Sequence, residues 1–322
     1  MKIYNSISEF TPVPNALVTI GTFDGVHFGH QQIIERLKQN AQLVNGELVV
    51  LTFFPHPRMV LFPDDHGLQL LNTLEEKKTL LQKAGVNHLI IHPFSKEFSR
   101  LSSTEFVRDV LVNQIGVKKL VIGYDHHFGR NREGSINELT ELAPLYNFEV
   151  EQLPEQDVHD VAVSSTKIRT ALLDGQVHVA NAFLGYSYSL TGIVVEGHKL
   201  GKQLGFPTAN LRIPEDYKLI PANGVYAVKV QVHDDNASGL TQKPLLMGAL
   251  NIGTRPTFDN GNRSIEVYIL DFNEDLYGKS ISVYFVERLR PELKFTDKKS
   301  LIDQMHIDVE KTREIFKVRF RS

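Results

Sequence analysis

Two rhythms of hydrophobicity divide this chain, and the change from one to the other limits its possible folds more than any other feature. From residue 16 to about 184, apolar β-prone runs (16–21, 47–54, 88–92, 118–124 and 148–153) alternate with stretches of helical period. Ile33, Ile34, Leu37 and Ala41 fall on one helical face, and Leu74, Leu80, Leu81 and Ala84, ended by Gly85, on another. That alternation is the pattern of βαβ units on a mostly parallel sheet. Thr73 with Glu76, Ser102 with Glu105 and Ser135 with Glu138 have capping-box spacing, which predicts three helix starts. Past residue 185, short β-prone runs (188–195, 224–232, 245–252, 264–271 and 280–286) follow one another with no helical segment between them. An antiparallel sheet or closed barrel is the economical reading. A final helical stretch, 297–318, carries Leu301, Ile302, Met305, Val309, Ile315 and Phe316 and is expected to pack on that barrel. The organisation expected is α/β over residues 1–184 and all-β with a terminal helix over residues 185–322.

A length of 322 residues, 42% hydrophobic and 23% charged, suits two self-sufficient globular domains. The net charge of -3 offers no broad field to nucleic acid or an anionic membrane, so neither is expected as a partner. With no cysteine, disulfides and thiolate metal sites are excluded, and a reducing compartment is permitted. The N-terminus MKIYNSISEF lacks an apolar signal core and no apolar run reaches spanning length, so a cytoplasmic protein, monomeric or weakly homo-oligomeric, is expected.

Three motifs of the first part stand at predicted strand ends, where open α/β sheets bind ligands. The first runs Gly21-Thr22-Phe23-Asp24-Gly25-Val26-His27-Phe28-Gly29-His30. A strand, a glycine-containing turn and a helix start in succession expose backbone N–H groups and the positive end of the helix dipole, which favour phosphate. His27 and His30 can add hydrogen bonds or charge; metal ligation by them is the weaker reading, because a third ligand would have to come from the scattered Asp125, His126 and His127. The second motif is Gly123-Tyr124-Asp125-His126-His127-Phe128-Gly129-Arg130-Asn131-Arg132-Glu133-Gly134. The third, Ser164-Ser165-Thr166-Lys167-Ile168-Arg169, joins capping hydroxyls to two cations in a first helical turn, where the dipole disfavours them unless an anion binds. Taken alone, that third motif is better explained by a capped helix with solvated charges.

Together, GTFDGVHFGH, GYDHHFG and SSTKIR in this order resemble the adenylyltransferase module of bacterial bifunctional riboflavin kinase/FAD synthetases, a branch of the nucleotidyltransferase superfamily. The resemblance implies a Rossmann-like parallel sheet that binds ATP and lets the FMN phosphate attack the α-phosphorus, expelling pyrophosphate. It also implies contacts from Gly21, Phe23, Asp24, His27, Gly29 and His30 on one side of the nucleotide, with the histidines as catalytic groups. Ser164, Ser165, Thr166 and Arg169 would hold nucleotide and pyrophosphate from the other, and Asp125 would touch the nucleotide or the catalytic region.

The second part has its densest cluster in Gly197-His198-Lys199-Leu200-Gly201-Lys202-Gln203-Leu204-Gly205-Phe206-Pro207-Thr208-Ala209-Asn210. Its glycines let backbone approach a ligand, and its lysines bring positive charge. Thr208 and Asn210, two residues apart, share one face if extended. The cluster resembles the GxxLGxPTAN region of riboflavin kinases, and Asn251 to Phe258, Glu266 and Arg290-Pro291-Glu292 with Phe295 match later motifs of that family. The resemblance implies a kinase-like antiparallel barrel with Thr208 and Asn210 on Mg2+ and the ATP phosphates. It further implies that Gly197, Lys202, Gly205 and Pro207 surround the nucleotide, that Glu266 is the base on the riboflavin 5′-hydroxyl, and that Arg290 and Phe295 belong to a flap or flavin pocket. Periodicity alone makes Glu266 a solvent-facing strand residue in IEVYIL. The expected activity is conversion of riboflavin to FMN and of FMN to FAD, each with ATP. The alternatives are nucleotide transfer to another phosphate-bearing acceptor, or a flavin or nucleotide sensor without catalysis.

Overall fold

The apolar runs of the first part alternate their side chains between two cores. Ala16, Val18, Ile20, Val49, Leu51, Ile90, Leu120 and Ile122 face one, while Leu17, Leu48, Val50, Leu89, Ile91 and Val121 face the other. Strands buried on both faces read as continuous hydrophobic runs, and helices must cover both sides. The computed structural model describes residues 1–64, 67–124, 127–155, 157–158, 161–197, 201, 204–233, 244–254 and 263–319. They fall into two compact units, Met1–Ser165 and Thr166–Ser322.

In the first unit the elements run β1 (Lys2–Tyr4), β2 (Ala16–Ile20), α1 (Phe28–Val44), β3 (Glu47–Phe53), α2 (Pro57–Leu61), α3 (Leu74–Lys83) and β4 (His88–His92). Then come α4 (Ser103–Glu105), continued by π-helical turns over Phe106–Ile115, β5 (Val117–Gly123), α5 (Ile136–Tyr146), β6 (Glu149–Leu153) and the short β7 (Asp157–Val158) and β8 (Val161–Ala162). The sheet has the order β1-β4-β3-β2-β5-β6, parallel throughout. The chain steps outward from β2 through β3 to β4, then restarts beside β2 with β5, so the topological switch lies between β2 and β5. The capping boxes at Thr73 and Ser102 form as the sequence predicts. The third capping box does not form: Ser135 caps without a side-chain bond, and the Glu138 carboxylate accepts from the Ser103 hydroxyl. Strand β1 lies outside the sequence reading, three residues being too few to carry a period.

The second unit takes in most of α6 (Ser165–Leu173), then α7 (Val177–Leu184), β9 (Ser189–Val195), β10 (Thr208–Arg212), β11 (Gly224–Val232), β12 (Leu246–Thr254), β13 (Arg263–Ile269), β14 (Ser280–Arg290) and α8 (Lys298–Arg319). Its strands close an antiparallel barrel in the order β10-β13-β12-β11-β14-β9. Ile265, Val267 and Ile269 alternate with Ser264, Glu266 and Tyr268, so the apolar set is buried and the polar set is only half-buried. Helix α8 packs on β11, β12 and β14, with Ile315 and Phe316 against Ala227 and Val286. Helix α7 packs on β14, tied by Asn181, whose amide donates to the Phe285 carbonyl and accepts from Tyr188 N–H. This contact groups residues 166–184 with the barrel.

Candidate active sites

The loop after β2 opens at the switch between β2 and β5, the place where open α/β sheets bind ligands. It is a strained loop. Phe23 has φ +47°, Gly25 +88° and Val26 +38°. A left-handed β-branched residue is a rare outlier, and such positions cost about 1–3 kcal/mol each unless their surroundings hold them. Several bonds hold this one. The Thr22 carbonyl accepts from Lys77 Nζ at 2.7 Å and from Thr52 Oγ1 at 3.2 Å. The buried Asp24 carboxylate accepts from Leu71 N–H at 2.9 Å, its carbonyl accepts from Ser165 Oγ at 2.8 Å, and the Phe23 ring is buried.

His27 is the N-cap residue of α1, whose first turn contains no acidic side chain, so its amide N–H groups and dipole present a positive end. The rings of His27 and His30 stack with centroids 3.7 Å apart, and Phe23 packs on His30 at 4.8 Å. His30 Nδ1 is buried with no hydrogen bond among the described residues. Burial, and then the nearby His27 and Lys77, push the His30 imidazole well below its ordinary pKa. It is therefore neutral near pH 7 and acts as a hydrogen-bonding group rather than a cation. Lys77 is only 3% exposed, and burial brings its ammonium down to about 8 against the opposing pull of Asp24.

Of the second motif, Asp125 and His126 lie outside the described residues. Phe128 is buried against Phe106, and Gly129, at φ +71°, abuts Ser103 so closely that a Cβ would sit 2.8 Å from its backbone nitrogen. In the third motif Ser165 joins the first loop through Asp24, while Ser164 precedes α6 and Thr166 and Arg169 follow on it as part of the second unit. Gly21 ends β2, its N–H donating to the Leu51 carbonyl, and Gly29 lies in the first turn of α1.

On the barrel one row of the sheet collects the polar groups. Pairing runs Arg290↔Val225↔Asn251↔Glu266↔Asn210↔Val195 across all six strands. Residues directly opposite in a ladder point to one side, so Glu266, Asn210 and Asn251 converge outside the barrel wall. Thr208, one step along the same face, donates its hydroxyl to Glu266 Oε2 at 3.3 Å. The row borders a cavity of about 270 Å³, walled by Phe206, Leu301, Met305, Val309 and Phe295. Arg290 and Phe295 both line it, with the guanidinium 5.9 Å from the ring centroid. Gly205 takes φ +86° in the turn before exposed Pro207, and Gly197 backs so closely on Asn210 that a Cβ would lie 2.1 Å from Nδ2. Lys202 lies outside the described residues, as do 255–258 of the later motif.

The hydroxyl, amide and carboxylate oxygens of Thr208, Asn210 and Glu266 are hard donors of the kind Mg2+ takes when phosphates supply the rest of its shell. Among the described residues no cluster of three or more His, Cys, Asp or Glu could cage a metal ion. Two groups at the sites go unnoticed in sequence, Lys77 under the first loop and Asp308 on the cavity wall. Each interrupts an apolar helical stripe, Leu74-Lys77-Leu81 and Leu301-Met305-Asp308, and a charge on a buried stripe is the signal that could have found them.

Residues 11–167 match the family model described as FAD synthetase, and residues 184–316 match that of riboflavin kinase. The chain is 40% identical over 309 residues to a bifunctional riboflavin kinase/FMN adenylyltransferase of Listeria monocytogenes, covering 96% of this chain and 94% of that one. It is 36% identical over 318 residues to the protein of that name in Escherichia coli, covering 98% of each. A crystal structure from Streptococcus pneumoniae, described as a macrolide-efflux protein, superposes with a TM-score of 0.87 at 31% identity over 97% of this chain and 98% of that one. Among the described residues no helix is long and apolar enough to cross a membrane.

Proposed function

The chain belongs to the bifunctional riboflavin kinase/FMN adenylyltransferase family and is an enzyme of flavin cofactor biosynthesis; from that premise we propose how its residues share the two reactions. Residues 185–322 make FMN from riboflavin and ATP, and residues 1–184 make FAD from FMN and ATP.

In the kinase half, Glu266 takes the proton of the riboflavin 5′-hydroxyl as that oxygen bonds to the γ-phosphorus and the bond to the β,γ-bridging oxygen breaks, releasing ADP. Thr208 orients the carboxylate through its hydroxyl, which donates to it at 3.3 Å in the free protein. Thr208 and Asn210 would hold Mg2+, which when bound neutralises phosphate charge. Gly197, Gly205, Pro207 and Lys202 border the nucleotide. Arg290 and Phe295, with Phe206 and Met305, border the flavin, whose apolar ring suits those walls. The observation that carries this reading is the single register row that pairs Glu266 with Asn210 and with Asn251, Glu266 and Asn251 lining the cavity together with Thr208.

In the adenylyltransferase half, a phosphate oxygen of FMN bonds to the α-phosphorus of ATP while the bond to the α,β-bridging oxygen breaks, and pyrophosphate leaves. There is little covalent work for the protein in such a displacement, so alignment and charge stabilisation dominate. The Gly21–Gly29 loop and the N-terminus of α1 would receive the phosphates, with His27 and the neutral His30 as hydrogen-bonding groups. Ser164, Ser165, Thr166 and Arg169 would hold nucleotide and pyrophosphate, and Asp125 the nucleotide or the catalytic region. The same reading includes a cytoplasmic monomer or weak homo-oligomer. Incubation with riboflavin, ATP and Mg2+, followed by chromatography of the flavins, should give FMN and then FAD. Folded protein that produces neither would overturn the assignment.

A further inference from the structure

We propose that Lys77 is a positioning residue for FMN adenylylation: its ammonium clamps the Thr22 carbonyl and so holds the strained turn Phe23–Val26 in the shape that sets His27, His30 and the α1 N-terminus for phosphate. The proposal rests on assigning FAD formation to this loop. Nothing in α3 itself asks for a cation at this position. Lys77 stands on the apolar stripe between Leu74 and Leu81, in the turn of the helix where the dipole disfavours positive charge, and is almost wholly buried. A methionine or leucine would fill that stripe without desolvating a charge. What the lysine gains there is one short hydrogen bond, 2.7 Å, to the carbonyl that immediately precedes the left-handed residues.

The groups facing it are Asp24 from the loop and His30 from α1; Glu76, its neighbour on α3, is engaged with the Thr73 N–H of its own capping box. Lys77 thus balances the buried Asp24 carboxylate and helps keep His30 neutral. Thr52 Oγ1 is the second, longer donor to the same carbonyl, at 3.2 Å, so losing Lys77 loosens the loop without emptying that oxygen of partners. The ammonium is charged at neutral pH and titrates near 8, within reach of an enzyme assay.

The test uses the full-length chain. For FAD formation from FMN, kcat/KM for ATP reports ionisations of the free enzyme. The wild type should lose activity as pH rises through 8, by about tenfold per pH unit, while its riboflavin kinase activity shows no such limb. Lys77→Met should be about 100-fold slower at neutral pH, a loss of the size that misplaced reacting groups produce, and flat where the wild type falls. Its kinase rate and thermal unfolding report on folding. Lys77→Arg, whose charge persists above pH 8, should lose the limb, and it decides the matter if the methionine variant does not fold. Lys77→Met activity within about twofold of wild type, a limb kept in either variant, or a wild-type profile flat through pH 8 would each overturn the proposal. Absence of any FAD formation by the wild type would instead sink the assignment of the loop.

Discussion

The Arg290 guanidinium grips both carboxylate oxygens of Asp308, with Nε at 3.0 and 3.1 Å and Nη2 at 2.8 Å, and so ties the end of β14 to α8 beside the cavity. Side-chain exposures of 14% and 5% make this a largely buried pair, and Gln304 adds a further bond to the Asp308 carboxylate at 3.0 Å. Removing one partner of such a pair leaves the other charge uncompensated, at about 3–5 kcal/mol. Asp308→Ala should therefore lower the unfolding temperature and raise KM for riboflavin, while FAD synthesis from added FMN persists. Calorimetry and separate assays of the two reactions check this, and an unchanged riboflavin KM would remove Asp308 from the cavity's function.

Glu266, the proposed base, lies opposite Asn210 in the ladder, where the other neighbour is Val195, and accepts from the Thr208 hydroxyl. Glu266→Ala should slow FMN formation by about 10²–10⁴-fold, the usual contribution of a positioned base, yet leave FAD synthesis from added FMN intact. Equal loss of both activities in a folded variant would contradict two separate sites.

Gly197→Ala should separate fold from function. The added methyl would lie 2.1 Å from Asn210 Nδ2, the far end of a side chain that can swing aside. The barrel should keep its unfolding temperature to within a few degrees while the displaced amide weakens nucleotide binding, seen as a raised KM for ATP in the kinase reaction alone. A normal KM would show that Asn210 need not occupy its present position.

The legible parts of the sequence are those where one physical signal repeats. Five apolar runs with helical stretches between them suffice for a doubly covered parallel sheet, because burial on both faces removes the polar alternation from a strand. The barrel and its covering helix are legible likewise, from alternation in runs such as 264–271. Pairing is not, because register is set by which strands meet. Nothing local brings Asn251 beside Glu266, or Glu266 beside Asn210. Periodicity puts Glu266 on the outer face, and the fold agrees, but α8 and the segment through Phe295 turn that face into a cavity wall. Lys77 escapes notice because helical patterns are read from their apolar members, and the carbonyl it serves is 55 residues away in the chain.

His30 gives the prediction with a sign in pH. Burial holds its folded pKa well below 6.5, so as pH falls below 6.5 the unfolded chain takes up a proton that the folded unit refuses. The stability present above 6.5 is then lost progressively toward the lower folded pKa. His30→Ala deletes this linkage, so between about pH 7 and 5 its unfolding temperature should fall less steeply than that of the wild type. The same variant should make FAD about 10²–10³-fold more slowly, as expected for loss of a donor to developing phosphate charge, with FMN formation spared. Parallel melting curves in the two proteins would mean that His30 is not held neutral by its surroundings, and the imidazole would then have to be treated as a cation at the phosphates.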